Sequence, residues 1–241
     1  MNKQEVYESL KDGLIVSCQA VEGEPHYMEG ITTMYARCAK WADAKGLRVN
    51  TPEDIRAIKK EVDLPIIGIW KIDRNIKDVY LTPNLEAAKA VWEAGAEIIA
   101  VQATNHVRDD GKLAYETIRE IKENIPEALI FADVATAEDA KIAASYGADF
   151  VAPTLAGYTK AGHFNKVEIK DAPDFLLLRD IIKAVEGTDA KVIMEGKVST
   201  PEIAVQCLYM GAYAVVVGNA ITRPHITAKR FARMLNRYSD E

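Results

Sequence analysis

Short apolar runs alternate with longer amphipathic segments along almost the whole chain. The runs have the length of buried strands, and the segments between them place apolar residues at helical spacing. This pattern predicts eight strands, near residues 14–19, 46–49, 65–70, 97–102, 129–133, 150–153, 191–195 and 213–217. It predicts helices near residues 31–44, 51–61, 84–94, 112–124, 137–146, 174–186, 201–210 and 223–237.

Recurring signals mark where the helices begin and end. A threonine N-cap accepts one of the free N–H groups of a new helix, and a proline at the first helical position has no N–H to satisfy. An acid in the first turn interacts favourably with the helix dipole. Glycine ends a helix because it readily adopts the left-handed conformation. The predicted starts lie at Thr51, Thr82, Thr136 and Thr200, and Gly-Ala leads into the next strand at Gly95, Gly147 and Gly211.

The alternation of strands and helices predicts a parallel sheet with right-handed crossovers. Eight such units favour an α/β fold of the closed (β/α)8 type, the TIM barrel, and 241 residues is an ordinary length for it. An open doubly wound sheet is the alternative, but no G-x-G-x-x-G motif follows the first strand. Because the chain contains no linker or low-complexity segment, we predict one domain over residues 1–241.

Composition and charge exclude several classes of protein. Hydrophobic residues make up 49% of the chain, enough for a buried core, and a formal net charge of −6 leaves no basic stripe for nucleic acid. The first residues lack a leader pattern, and no apolar run is long enough to cross a membrane. We therefore expect a cytoplasmic protein without nucleic-acid or membrane partners.

The cysteines, Cys18, Cys38 and Cys207, lie far apart and form no C-x-x-C motif. With only four histidines in the chain, we expect no metal site. Cys18 ends a predicted strand and is a candidate nucleophile, although a buried cysteine that packs as a small apolar side chain explains it more simply.

Polar residues end or follow most of the predicted strands. The carboxyl ends of barrel strands converge on one mouth, where the catalytic side chains of this fold project. A ring that contains both acids and bases therefore predicts a polar site at that mouth. Its members are Gln19, Arg48, Lys71, Gln102, Asp133, Thr154 and Glu195, and Gly218 follows the eighth strand.

Lys71 follows the apolar run 64–70, and Arg48 on the preceding strand adds like charge. Desolvation and like charge both lower the pKa of a lysine, so Lys71 is a candidate base. It is suited to abstracting a proton next to a carbonyl, or to forming a Schiff base in an aldolase or decarboxylase. A structural ion pair with Glu195 or Asp133 is the third interpretation.

Glu195 lies across the predicted barrel from Lys71 and is the candidate second proton-transfer group. A base and an acid on opposite faces of one carbon are what the inversion of a stereocentre requires. Arg48 would stabilise developing enolate charge. Gln19 and Asp133 suit hydrogen bonds to sugar hydroxyls or an amide, or else are satisfied by the backbone.

Two glycine-bearing loops follow the last two predicted strands, Gly196-Lys197 and Gly218-Asn219. In (β/α)8 barrels the loops at these places commonly bind phosphate through backbone N–H groups and a helix N-terminus. Arg223 lies just beyond the second loop and is either a further phosphate contact or a solvated cation. The glycines alternatively serve only to allow tight turns.

Two segments outside this ring carry further predictions. Residues 155–173 form the longest stretch without periodicity, and a loop of this length in a compact domain is usually functional. It is a candidate lid over the mouth, with a solvated excursion as the alternative. Phe231, Met234 and Leu235 of the last helix suit either a homodimer interface or core packing.

Short motifs occur in a fixed order at successive strand ends. They are L-I-V-S-C-Q-A from Leu14, G-E-P from Gly23, G-L-R-V-N from Gly46, I-G-I-W-K from Ile67, D-V-Y-L-T-P from Asp78, A-D-V from Ala132, T-L-A-G-Y-T from Thr154, E-G-K from Glu195 and G-A-Y-A-V-V-V-G from Gly211. In this order they resemble the N-acetylmannosamine-6-phosphate 2-epimerase family, from about Leu14 to Phe231.

The resemblance implies a (β/α)8 barrel that interconverts N-acetylmannosamine 6-phosphate and N-acetylglucosamine 6-phosphate in sialic acid catabolism, without metal or organic cofactor. It implies proton transfer at C2 rather than a Schiff base, with Lys71 as the catalytic lysine and Glu195 as its partner. It places substrate contacts at Gln19, Arg48 and Asp133, and phosphate contacts around Gly196, Gly218 and Arg223.

The sequence departs from the family pattern at the same mouth. Gln102 stands where the family has an aspartate in L-D-A-T, and Asn219 replaces the second glycine of a Gly-Gly turn. Ile72 and the segment 106–109 replace basic residues. Three interpretations remain: the family reaction with local drift, the same chemistry on another 6-phospho sugar, or a phospho-sugar binder weakened in catalysis by the loss of a carboxylate at Gln102.

Overall fold

The computed structural model describes residues 1–72, 79–157 and 172–239. Its strands form one closed parallel barrel, in which each strand pairs with its neighbour in sequence and the eighth returns to the first. The predicted (β/α)8 architecture is therefore confirmed. The strands are β1 (Leu14–Cys18), β2 (Gly46–Asn50), β3 (Ile66–Ile69), β4 (Ile98–Gln102), β5 (Leu129–Asp133), β6 (Phe150–Ala152), β7 (Lys191–Glu195) and β8 (Ala214–Val217).

Helices connect consecutive strands and flank the barrel. One helix, α1 (Lys3–Leu10), precedes the first strand. Those between strands are α2 (Ile31–Trp41), α3 (Pro52–Lys59), α4 (Leu85–Glu93), α5 (Glu116–Asn124), α6 (Ala137–Ser145), α7 (Phe175–Ala184) and α8 (Pro201–Tyr209). Two more, α9 (Asn219–Thr222) and α10 (Pro224–Ser239), follow β8.

Two of these helices, α1 and α9, lie outside the set that the sequence pattern predicts. The signal for α1 is a capping box, in which Asn2 and Glu5 each accept the other's backbone N–H at 2.9 Å. With its four residues, α9 is too short to show a period. Helix α5 begins at Glu116 rather than near 112, because Leu113 pairs with Val107 in an antiparallel bridge.

The helix starts follow the predicted threonine caps, with one exception. The side chains of Thr51, Thr136 and Thr200 each accept the backbone N–H three residues further on. The predicted start at Thr82 is wrong, since α4 is capped by Asn84. The Thr82 hydroxyl instead accepts the backbone N–H of Trp70, the residue directly after β3, so it ties the following loop to the barrel.

Two apolar layers stabilise the barrel, one between sheet and helices and one in its interior. Helix α1 adds Val6 and Leu10 to the interior layer, and the Tyr7 ring packs on Phe150 with centroids 5.0 Å apart. The Tyr213 hydroxyl, at the entry to β8, donates to the Tyr7 carbonyl at 2.7 Å. Helix α1 therefore closes the amino-terminal end of the barrel, and the opposite end is left for a site.

No helix within the described ranges is long and apolar enough to cross a membrane. Most of the candidate lid, residues 155–173, falls on residues 158–171, which lie outside those ranges. The lid therefore stays a prediction.

Candidate active site

A cavity of about 500 Å³ opens at the carboxyl-terminal end of the barrel. Its walls are the ends of the strands and the loops that follow them, as expected for this fold. Two predicted site residues, Gln102 and Asp133, do not line it. Those that do are Gln19, Arg48, Lys71, Thr154, Glu195, Gly196, Lys197, Gly218, Asn219 and Arg223.

Arg48, on β2, joins two carboxylates next to the cavity. Its NH1 donates to Glu195 Oε2 at 2.6 Å and its NH2 donates to Asp133 Oδ2 at 2.7 Å. The side chain of Arg48 is 2% exposed and that of Asp133 is fully buried. Burial alone would lower the pKa of the Arg48 guanidinium, because it disfavours the charged form. The two carboxylates outweigh this effect and raise the pKa above its usual range, so the guanidinium stays protonated.

Glu195 ends β7 in an environment that perturbs its titration. Burial raises the pKa of its carboxyl group, and the nearby charge of Asp133 raises it further. The positive charges of Arg48 and Lys71 lower it. The net direction is upward. A carboxyl group with a raised pKa holds a proton closer to neutral pH, which is the property that a proton-transfer group needs.

Lys71 directly follows the third strand, four strands away from Glu195 in the closed barrel. Burial and the charge of Arg48 lower the pKa of Lys71 to about 8, so part of the amine is neutral near physiological pH. Within the described residues, no carboxylate oxygen lies within 4.0 Å of its Nζ. The structural ion pair with Glu195 or Asp133 is therefore absent, because both carboxylates bind Arg48 instead.

Two amide side chains position Lys71. Its Nζ donates to Gln19 Oε1 at 2.6 Å, and its backbone N–H donates to Asn50 Oδ1 at 3.0 Å. The Gln19 amide is itself oriented, because its Nε2 donates to Ser17 Oγ at 3.0 Å. Gln19 thus presents an oxygen to Lys71 whether the amine is neutral or charged.

Three buried polar atoms near the cavity have no hydrogen-bond partner among the described residues. They are Thr154 Oγ1, Asp133 Oδ1 and Arg48 Nε. Buried polar atoms are nearly always paired in folded proteins, so an unpaired one next to a cavity is a candidate for contact with a bound molecule. Thr154 lines the cavity directly.

The loops after β7 and β8 lie on one side of the cavity. Gly196 has a φ of 114°, a backbone conformation that glycine adopts without strain, and Lys197 follows it with a φ of 58°. Gly218 leads into the short extra helix α9. Loops after strands seven and eight with a short extra helix are the usual phosphate site of a (β/α)8 barrel.

Further residues line the cavity beyond the predicted set, among them Tyr80, Ser199 and Arg230. Arg230 lies on α10, and Arg223 directly precedes this helix. The sequence predicts the helix but carries no local signal that Arg230 faces the cavity. Ser199 and Tyr80 belong to loops, where no periodicity indicates which side chains turn inward.

Comparison with known proteins agrees with this geometry. A model of the family described as "NanE: Putative N-acetylmannosamine-6-phosphate epimerase" matches residues 31–237. The chain belongs to this family. A Listeria welshimeri relative named "Putative N-acetylmannosamine-6-phosphate 2-epimerase" is 40% identical over 94% of this chain and 93% of its own length. Another of that name, from Caldanaerobacter subterraneus, is 40% identical over 99% of this chain and 98% of its own.

A solved structure is also similar to this one. It is that of the N-acetylmannosamine-6-phosphate 2-epimerase from Clostridium perfringens, which matches with a TM-score of 0.85 and 35% sequence identity. The match covers 95% of each chain. The likeness therefore extends over the whole barrel.

Gln102, one of the departures from the NanE family pattern, acts at one remove from the cavity. Its Oε1 accepts the Tyr80 backbone N–H at 3.2 Å, and its Nε2 donates to Thr104 Oγ1 at 3.2 Å. Thr104 in turn bonds His106 Nδ1 at 2.9 Å. Gln102 therefore reaches the cavity only through Tyr80.

The cysteines take no visible part in the site. Cys18 is buried in the layer between sheet and helices, and burial raises the pKa of its thiol to about 12. A thiol of this kind is not the thiolate that a nucleophile requires, so the structure favours the packing role. Among the described residues, no cluster of histidine, cysteine, aspartate or glutamate has the arrangement of a metal site.

Proposed function

We propose that this protein epimerises C2 of an N-acetylhexosamine 6-phosphate, interconverting N-acetylmannosamine 6-phosphate and N-acetylglucosamine 6-phosphate in sialic acid catabolism. One observation carries the proposal. Lys71, with a lowered pKa, and Glu195, with a raised one, face a single cavity from strands on opposite sides of the barrel and are not paired with each other. This is the arrangement that removal and return of a proton on opposite faces of a carbon requires.

The proton steps balance once the enzyme is reset, which requires the Lys71 ammonium to release a proton to solvent and the Glu195 carboxylate to take one up before the next turnover in the same direction. In the open-chain sugar, C2 lies next to the C1 carbonyl, so neutral Lys71 removes the C2 proton and leaves an enolate. Protonated Glu195 then returns a proton to the other face of C2, and the pair ends as an ammonium and a carboxylate. The reverse reaction starts from that state, with Glu195 as base and Lys71 as acid. Arg48 holds Glu195 in place and offsets the enolate charge.

The remaining contacts fix the sugar relative to this pair. The phosphate binds the loops that contain Gly196 and Gly218, with Lys197, Asn219 and Arg223 beside it. Thr154 and Asp133 each supply an oxygen atom that has no hydrogen-bond partner among the described residues, and Gln19 orients the amine of Lys71. In this proposal Gln102 acts through Tyr80 on the same sugar. No metal or organic cofactor has a role in these steps.

An NMR time course of N-acetylmannosamine 6-phosphate in heavy water tests the proposal. We expect N-acetylglucosamine 6-phosphate to appear with deuterium at C2. Lys71→Met and Glu195→Gln should abolish both signals, whereas Lys89→Met, an exposed lysine on α4, should leave them unchanged. Normal exchange in the first two variants would contradict the assignment, and borohydride trapping of a substrate adduct on Lys71 would replace it with Schiff-base chemistry.

The same proposal includes a cytoplasmic homodimer. Phe231, Met234 and Leu235 of α10 are 69%, 61% and 67% exposed in the single chain. Exposed apolar clusters of this kind mark interaction surfaces, which favours the dimer over the core-packing interpretation. Light scattering after gel filtration should give twice the 26.6 kDa chain mass, and Leu235→Glu should reduce it to one. A monomer from the unchanged protein would refute the dimer.

A further inference from the structure

The main chain at Lys71 lies just beyond the end of the regular ladder between β2 and β3. The last register pair of this ladder joins Asn50 and Ile69, and the Thr51 N–H then donates to the Ile69 carbonyl at 2.8 Å. A parallel ladder that continued would give the Lys71 N–H the carbonyl of Thr51. Thr51 instead caps α3 with a φ of 72°, so among the described residues the Lys71 N–H has no backbone acceptor. The Asn50 side chain takes this place, with its Oδ1 at 3.0 Å from the backbone nitrogen of Lys71.

The segment that ends at Thr82 holds the opposite side of this main chain. Lys71 pairs with Leu81 in an isolated antiparallel bridge. Thr82, the next residue, bonds Trp70 twice: its N–H donates to the Trp70 carbonyl at 2.9 Å, and its hydroxyl oxygen accepts the Trp70 N–H at 3.1 Å. The Leu81 carbonyl accepts the Gln102 N–H at 3.0 Å, which anchors the segment to β4. Lys71 is therefore fixed from β2 on one side and from β4 on the other.

Thr82 makes these contacts in a strained backbone conformation. Its φ is 45°, which is rare for a β-branched residue, and the residue is buried. Glycine would adopt this φ without strain but would leave the Trp70 N–H without its acceptor. Strained residues persist where the surrounding structure holds them, and they cluster at active sites. Because the Thr82 hydroxyl binds the residue directly before Lys71, the strain accompanies the placement of that lysine.

The placement of this main chain decides where the Lys71 amine lies. Its Nζ donates to Gln19 Oε1 at 2.6 Å, and burial is the main cause of its lowered pKa. The amine ends a flexible four-carbon chain, so a shift of the main chain would carry it toward solvent. A misplacement of about 1 Å can cost an enzyme about 10²-fold in rate. Neither Thr82 nor Asn50 lines the cavity, so neither is placed to contact a substrate there.

We propose that Thr82 is a positioning residue, which together with Asn50 holds the main chain of Lys71 between β2 and β4 and so keeps its amine in place for proton transfer. This inference rests on the proposed function, because it takes Lys71 to be a proton-transfer group. It assigns a task to a strained threonine that touches neither the cavity nor the amine. The two contacts act together, so the loss of either one frees the main chain.

Kinetics of Thr82→Val and Asn50→Leu test the inference, since each variant removes one acceptor and keeps the approximate size of the side chain. We expect kcat for N-acetylmannosamine 6-phosphate to fall by about 10- to 100-fold in each, with KM nearly unchanged. The double variant should lose little more than the worse single variant, because either loss frees the same main chain. The fall in rate on the alkaline side, near pH 8 in the unchanged protein, should move to higher pH, because a less buried amine has a higher pKa.

Two kinds of control separate positioning of Lys71 from general support of the fold. Thr82→Ser and Asn50→Asp keep an acceptor oxygen and should recover most of kcat. Thr188→Val removes a hydroxyl that accepts the Ala190 N–H at 3.3 Å, at the amino-terminal end of the barrel. It should leave kcat, KM and the pH dependence unchanged.

Competitive labelling with acetic anhydride measures the pKa of the Lys71 amine without an epimerase assay. Mass spectrometry of the peptide that contains Lys71 should give a midpoint near pH 8 in the unchanged protein and a higher one in Thr82→Val. If the unchanged protein shows no C2 exchange, the proposed function fails, and this midpoint still tests the positioning.

Three results would overturn the inference. The first is an unchanged kcat and labelling midpoint in Thr82→Val, and the second is a KM that rises at constant kcat, which would show a contact with the substrate. The third is a double variant whose loss equals the product of the two single losses, since the two sides would then act independently. If Thr82→Val does not fold, Thr82→Gly relieves the strain, also lacks the acceptor and provides the same comparison.

Discussion

The two ends of the barrel both contain buried or half-buried charges, but the charges are satisfied differently. At the amino-terminal end, Asp149 accepts from Tyr7 OH at 3.1 Å, Lys122 Nζ at 2.6 Å and the Ile130 backbone N–H at 2.8 Å. Both of its oxygens are therefore used by the protein itself. All of these partners belong to the elements that surround the strand entry.

Glu97 repeats this arrangement two strands earlier. It accepts from Lys59 Nζ at 2.5 Å and from the Ile66 backbone N–H at 2.9 Å. Glu97 and Asp149 each follow a Gly-Ala pair at the entry to a strand. In these two instances the recurring sequence unit builds an ion pair between a strand entry and the helix that precedes the neighbouring strand, α3 for Glu97 and α5 for Asp149.

At the carboxyl-terminal mouth the protein leaves polar atoms unused. Among the described residues, Asp133 Oδ1, Thr154 Oγ1 and Arg48 Nε have no hydrogen-bond partner, and no carboxylate pairs with Lys71. Unpaired polar groups in a low dielectric are costly, so a fold that tolerates them at one end and excludes them at the other separates two tasks. The closed end supplies stability, and the open end reserves its hydrogen bonds for a substrate.

Replacing Arg48 should give the largest effect, because this residue serves both tasks. Arg48→Met leaves two buried carboxylates without their cation, so the free energy of unfolding should fall by about 3–5 kcal/mol. Activity should be lost as well, because Glu195 is no longer held. Urea unfolding with an epimerase assay measures both. A variant that keeps its stability would show that the Arg48 network is not part of the fold's support.

Replacing Lys71 should change catalytic activity and stability in opposite directions. In Lys71→Met we expect activity to fall by about 10²- to 10⁴-fold, the usual contribution of general acid–base catalysis. Stability at pH 7 should rise instead, by up to about 3 kcal/mol, because a lysine whose folded pKa is about 8 pays to be charged below that pH. This gain should shrink as the pH rises from about 8 toward the unfolded value of about 10.4, where the lysine becomes neutral in both states.

Lys122→Met is the matched variant at the other end of the barrel. It removes the ion pair with Asp149, so it should lower stability and leave turnover unchanged. A loss of stability in Lys71→Met, or a loss of turnover in Lys122→Met, would contradict the division between the two ends.

The sequence predicts which residues surround the mouth, but not how they pair. Apolar runs that end in a polar residue fix the strand ends, and a closed barrel brings those ends together whatever their partners. The partner of Lys71 is Gln19, 52 positions away, and Arg48 bonds Glu195 across the barrel. Such pairs depend on barrel radius and side-chain rotamers, which periodicity does not encode.

Helix α1, at the closed end of the barrel, is a second element whose local structure is predictable from the sequence but whose tertiary contacts are not. Its apolar residues Val6 and Leu10 have helical spacing, and Asn2 with Glu5 forms a capping box, so the helix itself has a local signal. No local sequence signal indicates that this helix covers the barrel interior, because its position depends on contacts with residues such as Phe150, far along the chain. Arg230 is a similar case, since the helix was predicted and its inward face was not.

Weakening the closed end should change stability alone. Asp149→Asn keeps the shape of the side chain but removes its charge, so one charge-assisted bond is lost and the others weaken. We expect the free energy of unfolding to fall by about 1–3 kcal/mol, with kcat and KM unchanged. Thermal unfolding and a kinetic assay on the same preparation provide the measurement. A change in KM would mean that the two ends communicate, which the separate hydrogen-bond networks do not predict.

The pH dependence of turnover should give the smallest but most specific effect. Beyond each of the two pKa values that bound the active range, the rate should fall by about tenfold for each pH unit. Transfer between Lys71 and Glu195 requires the pair to hold one proton in total, so activity should fall above the pKa of Lys71, about 8, where that proton is lost. It should also fall below the raised pKa of Glu195, where the pair gains a second proton. The phosphate ester of the substrate also titrates, near pH 6, so the fall in rate on the acid side does not report on Glu195 alone. The fall in rate on the alkaline side is therefore the test. A rate that instead rises through about pH 8 and stays level would mean that Lys71 acts alone as a base and that Glu195 only supports the ion pair with Arg48.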